Sequence, residues 1–152
     1  MQARMPHPIT LLPNLLPALQ AVSKAAHVET VPHITIALVE LRASQINGCS
    51  VCVDMHAADL KRSGDTDRRI FAVGAWREAP WFNPAERAAL ALTEHVTRLA
   101  DRPDPVPDEV WNEAKAHDSE AELSCLLTTI AGINVWNRLN AATRQVAGAW
   151  NG

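Results

Sequence analysis

Within one short stretch, Asn47-Gly-Cys-Ser-Val-Cys-Val-Asp-Met-His56, the chain carries two thiols and an imidazole. A helix beginning near Cys49 brings Cys49, Cys52 and His56 onto one face, because their intervals of three, four and seven residues match the 3.6-residue repeat. The cysteines then fall at the first turn, where unpaired backbone N–H groups and the positive end of the helix dipole favour a thiolate. Such placement lowers a cysteine pKa from ~8.5 to between ~3.5 and ~7.5, which makes the sulfur nucleophilic at neutral pH. Two thiolates and an imidazole are also three of the four ligands zinc takes, with Glu40 or Cys125 available as a fourth. Structural zinc sites usually pair two ligand knuckles across loops, and no second knuckle is visible. Redox chemistry is the better reading of the stretch.

The elements that must position these side chains read as helices. Asn47-Gly48 is a helix stop, and Gly64 after Lys61 and Arg62 is the next one, leaving about four turns for the cysteine helix. Upstream, a helix from after Pro32 to Ile46 carries Ile34, Leu38, Leu41 and Gln45 on one stripe and Ile36, Glu40 and Ala43 on its neighbour. Glu40 therefore sits among small and apolar residues. Residues 1–17, with four prolines, read as an extended arm before a first helix from Ala18 to about His27. Downstream, Asp65 or Thr66 caps a short helix through Ile70, Phe71, Val73 and Trp76, and Asn83-Pro-Ala-Glu86 opens another along Ala85, Ala88, Ala89, Leu92, Val96 and Leu99. The breakers of Arg102–Pro107 form a loop, followed by a helix over Asp108–His117. Ser119 and Glu122 form a capping box for a long last helix along Leu123, Leu126, Leu127, Ile130 and Asn134. No strand alternation is present, so the fold class is all-α. Ser44-Gln-Ile-Asn47 and Ala131-Gly-Ile-Asn134 echo one another weakly, as two similar helical hairpins would.

At 152 residues, 47% of them apolar and 20% charged, the chain suits one domain with its own core. A net charge of −3 without a basic cluster argues against a nucleic-acid surface. Prolines 13 and 17 and Asn14 break the apolar N-terminal run, which reads as neither signal peptide nor membrane span. Three cysteines, two of them in one Cys-x-x-Cys, are not a secreted disulfide framework and fit a reducing cytoplasm. Cys125, between apolar neighbours, reads as a small core residue. His7, His27, His33, His95 and His117 read as surface or packing residues, and the five tryptophans as core and subunit contacts, with Trp136 near the pocket.

From Glu40 to His56 the chain resembles the alkylhydroperoxidase D (AhpD) and carboxymuconolactone decarboxylase superfamily, whose redox members carry Asn-Gly-Cys-x-x-Cys-x-x-x-His after an apolar helix. Trp76-Arg-Glu-Ala-Pro80 and Ile133-Asn-Val-Trp-Asn-Arg138 extend the likeness over most of the chain from Pro32 onward. The resemblance implies an AhpD-like helical domain over 32–152 behind an arm and first helix in 1–31, assembled as a homotrimer or homohexamer. It implies a peroxidase in which Cys52 attacks a peroxide, Cys49 resolves the sulfenic acid as a disulfide, and His56 with a glutamate relays the proton. A thiol pair three residues apart at a helix start can meet after a rotamer change, in keeping with that disulfide. The partners implied are a peroxide and a dithiol donor of lipoyl or thioredoxin type, with no cofactor. Peroxidase members place the relay glutamate at the position of Ala37, whereas Glu40 stands nearly one helical turn later. Some members have a second histidine where this chain has Val51. The alternatives are decarboxylation or lactone chemistry, which family members generally perform without the cysteine pair, and a non-catalytic redox sensor.

Overall fold

The computed structural model describes residues 1–101 and 103–149. Eight α-helices follow one another: α1 (Pro8–Leu11), α2 (Leu15–Ala25), α3 (His33–Asn47), α4 (Ser50–Arg62), α5 (Asp67–Ala72), α6 (Pro84–Thr97), α7 (Asp108–His117) and α8 (Glu120–Thr143). Single 3₁₀ turns follow α5 and α6, and there is no strand among the described residues.

The position of α3 follows from its composition. Ala37, Leu38, Val39, Leu41, Ala43 and Ser44 are all buried and cover more than one side of the helix, so it has no solvent face to spare. It accordingly runs through the middle, packed against α4, α6 and α8. On one side Leu38 and Leu41 join Leu60, Val73, Trp76, Phe82 and Leu90 in a core. On another, Val39 joins Leu92, Ala114, Leu126 and Ile130 in a second. Burial of that many large aliphatic side chains, at ~1.5–3 kcal/mol each, is what holds the helices in place.

Helix ends obey their local chemistry. Gly48, at φ 66° and ψ 29°, closes α3 in the left-handed conformation, which lets the Cys49 N–H bond to the Ser44 carbonyl at 3.0 Å. The expected capping boxes are formed at Asn83–Glu86 and Ser119–Glu122. Hydrogen bonds from Ser119 and Thr30 hold the Glu122 carboxyl down at about 2. The two echoing asparagines meet across the α3–α8 crossing: Asn47 Nδ2 donates to Asn134 Oδ1 at 2.9 Å and to Asn137 Oδ1 at 2.8 Å.

Three expectations need correction. The arm is not wholly extended: Pro8 takes the first position of α1, and Pro17 lies in the first turn of α2, where a missing N–H and a fixed φ do no harm. The short helix through Ile70 and Phe71 ends at Ala72, with Val73 in a 3₁₀ turn and Trp76 beyond it. Leu99 lies past the end of α6, in the 3₁₀ turn, and is exposed. Arg102, at the start of the expected loop, and Trp150 lie outside the described residues. Among the described residues no helix is long and apolar enough to cross a membrane.

Candidate redox site

Because only the left-handed Gly48 and the N-cap Cys49 separate the two helices, α4 starts directly against the end of α3. Cys49 is the N-cap of α4, and its sulfur accepts the Cys52 backbone N–H at 3.3 Å. Cys52 follows at the third helical position, with the two Cα atoms 5.4 Å apart and the sulfurs joined as a disulfide. Both cysteines are buried, in a small core of their own with Ala43, Val51 and Ile133, and Trp136 packs against it. The third cysteine, Cys125, is a buried free thiol in the α6–α7–α8 core.

Glu40 and His56 meet where α3 and α4 run side by side. His56 Nδ1 lies 3.2 Å from Glu40 Oε2, with 16% and 25% of the two side chains exposed. Ala37 is fully buried in the core and offers nothing to the site. The one-turn offset of Glu40 is thus the offset that reaches His56.

The disulfide separates two openings. On one side a cavity of about 340 Å³ is lined by Cys52, His56 and Glu40, by the apolar Val51, Met55, Ile133 and Trp136, and by Leu16, Gln20 and Ser23 of α2. On the other, a depression of about 380 Å³ is lined by Cys49, Gly48, Ser50, Asn140, Arg144 and Gln145. Cys52 lines the first opening and Cys49 the second, while Val51 and Asn140 line both. Asn140, from near the end of α8, reaches the disulfide, where its Nδ2 donates to Cys52 Sγ at 3.4 Å. The sequence gives no local sign of this contact, since the two residues are 88 positions apart.

Of the residues singled out in the sequence, Cys49, Cys52, His56 and Glu40 are brought together, and Trp136 lines the cavity. His7, expected at the surface or in packing, is buried, caps α1 by accepting the Ile9 N–H on Nδ1 at 3.1 Å, and lies 6.0 Å from the Trp136 ring. Among the described residues no group of three or more His, Cys, Asp or Glu side chains is arranged to hold a metal ion.

A cluster of similar chemistry lies on the other side of α3. Glu94 of α6, 11% exposed, accepts from Arg42 Nε at 2.8 Å, from Arg42 Nη2 at 2.6 Å and from Trp76 Nε1 at 2.9 Å, and also pairs with Arg77. Burial works to raise its carboxyl, but these hydrogen bonds outweigh burial and hold it below the ordinary carboxylate value.

Comparison with known proteins gives this arrangement a family. The model of the carboxymuconolactone decarboxylase family matches residues 13–95. YdfG of Bacillus subtilis, an uncharacterized protein, is 34% identical over 132 residues, covering 87% of this chain and 88% of its own. The crystal structure of ATU0492 from Agrobacterium tumefaciens, a protein of unknown function, superposes with a TM-score of 0.90 at 31% identity over 98% of this chain and 100% of that one. The debrominase Bmp8 shares the fold at a TM-score of 0.80 and 22% identity, over 93% of this chain and 75% of that one. With its two-thiol helix start and its all-helical AhpD-like fold, the chain belongs to the carboxymuconolactone decarboxylase family.

Proposed function

We propose that this protein is a thiol-dependent peroxidase that reduces organic hydroperoxides and is recycled by an external dithiol. The observation that carries the reading is the division of the site: Cys52 lines the apolar cavity together with the Glu40–His56 pair, while Cys49 lines a separate opening. Name-level support comes from ATU0492, which is described as a candidate AhpD-type antioxidant defence protein.

In the reduced enzyme, His56, oriented by Glu40, takes the Cys52 thiol proton. The thiolate attacks one peroxide oxygen, the O–O bond breaks, and the leaving alkoxide takes the proton back from His56 as the alcohol departs. Cys52 is left as a sulfenic acid. The Cys49 sulfur attacks that sulfur, its thiol proton leaves with the sulfenic hydroxyl as water, and the disulfide of this structure forms. A dithiol then attacks Cys49 from its own opening, forms a mixed disulfide, and closes on itself to release both cysteines reduced. The cavity's apolar lining suits the organic part of the hydroperoxide, with the polar pair at one end.

The test is consumption of cumene hydroperoxide by the wild type and by Cys49→Ser and Cys52→Ser, with dihydrolipoamide or reduced thioredoxin as donor. Turnover by the wild type and none by either variant is expected. Absence of turnover with every donor, while thiol counting shows the disulfide forming and opening, would replace the enzyme with a redox sensor. Since Bmp8 is named a debrominase, tribromopyrrole belongs in the same assay, and its debromination in preference to peroxide reduction would move the substrate class.

The same reading includes a homotrimer or homohexamer. The support is α2, which buries none of its own residues, and the exposed Leu11, Leu12 and Val22 along the arm and α2. Light scattering at micromolar concentration should give three or six times the chain mass, and a monomeric mass would reject the assembly.

A further inference from the structure

The N-terminal arm is fastened to the end of α8. The Arg4 N–H donates to the Thr143 carbonyl at 2.8 Å and Arg4 Nη1 to the Ala142 carbonyl at 2.9 Å, while Gln145 Nε2 donates to the Met5 carbonyl at 3.1 Å. The two Arg4 bonds satisfy carbonyls at a helix end that have no intrahelical partner. The docked arm leads to His7, only 4% exposed, which caps α1 through Nδ1 and lies 6.0 Å from the Trp136 ring of α8.

The Asn140 amide presents Nδ2 to the site, 3.4 Å from Cys52 Sγ. A sulfur in a disulfide is a weak acceptor, whereas a thiolate in the same place is a charged one, so the bond gains strength when the pair is reduced.

We propose that Asn140 is a catalytic residue, the hydrogen-bond donor to the reduced Cys52 sulfur. The inference rests on Cys52 being the reactive sulfur. The titratable groups around that sulfur are Cys49 at the start of α4, His56 of α4 and Glu40 of α3, with uncharged Gln20 and Ser23 of α2 across the cavity. Asn140 differs from the titratable ones in donating at every pH.

The experiment is the pH profile of iodoacetamide alkylation at Cys52, read site by site by mass spectrometry, in full-length Cys49→Ser protein. It needs no peroxide turnover, so its outcome is separate from that of the peroxidase assay. Asn140→Leu is expected to raise the midpoint by about one pH unit, the scale of one lost hydrogen bond to a charged acceptor. Asn140→Asp keeps the size, loses the donor and adds a charge; it is expected to raise the midpoint at least as far, and it carries the test if the leucine variant does not fold. An unmoved midpoint in Asn140→Leu, or in Asn140→Asp where the leucine variant does not fold, overturns the role of Asn140.

Discussion

Glu40 and Glu94 are two carboxylates served by the same helix, α3, and they are held in opposite ways. Glu94 is enclosed by Arg42, Arg77 and the Trp76 indole, all donors at neutral pH, and its carboxyl is kept below the ordinary value. Among the described residues Glu40 pairs with His56, and both line the cavity that Cys52 lines. A carboxylate fixed by permanent cations is an anchor: it joins α3, α6 and the turn carrying Trp76, and it has no proton to pass on. A carboxylate paired with one imidazole can take and return a proton as that imidazole changes state. The contrast separates the cluster that holds the fold from the cluster proposed to do chemistry, although each takes one member from α3.

The largest effects should fall on the cavity side. Cys52→Ser is expected to abolish hydroperoxide reduction and to leave no sulfenic acid on Cys49, with unfolding little changed; residual turnover above the buffer rate would break the assignment. Glu40→Gln keeps the size of the side chain and removes its charge, and it is expected to slow peroxide reduction by ~10²- to 10⁴-fold while the disulfide still forms. A rate equal to wild type would make Glu40 a second anchor and erase the contrast.

On the anchor side the readout should be stability. Glu94→Gln leaves Arg42 buried beside a neutral amide, and the loss expected from urea unfolding is about 3 kcal/mol, since removing one partner of a buried ion pair typically costs ~3–5 kcal/mol. Peroxide reduction per folded molecule should be unchanged. The pH dependence gives a second check. With its folded pKa below the ordinary 4.5, Glu94 contributes stability that is fully present above 4.5 and lost as pH falls through the lower folded value. The Glu94→Gln protein should therefore lose less stability than wild type over that acid range, and an equal loss would show that other carboxylates carry it. The smallest effect belongs to a third kind of carboxylate, Asp67, whose partner Lys61 is 67% exposed at 2.9 Å. Lys61→Ala should shift stability by no more than about 0.5 kcal/mol.

How much of this was legible in the sequence depended on whether a feature is local. The Cys49–Cys52–His56 spacing, the stop at Gly48 and the two capping boxes each lie within a few residues, and the structure has them where the spacing puts them. Glu40 was legible as a carboxylate on an apolar helix, but its reach to His56 depended on the angle at which a two-residue connection sets α4 against α3. Asn140 was not legible as a site residue, because its contact comes from the far end of α8. Glu94 gave no signal either: a glutamate on a helix face reads as solvated until the arginines that enclose it, from α3 and from the turn after α5, are in place. Sequence periodicity marks which face of a helix is apolar, and long-range polar contacts have no period.

The most direct test of the central claim is to trap the first oxidised species. Cys49→Ser protein, reduced and then mixed with one equivalent of cumene hydroperoxide in the presence of dimedone, is digested and mapped by mass spectrometry. The account predicts a single dimedone adduct on Cys52, formed within one turnover and absent when Cys52 is also replaced. An adduct on Cys125, or no adduct while the corresponding Cys52→Ser protein gives one on Cys49, would contradict it.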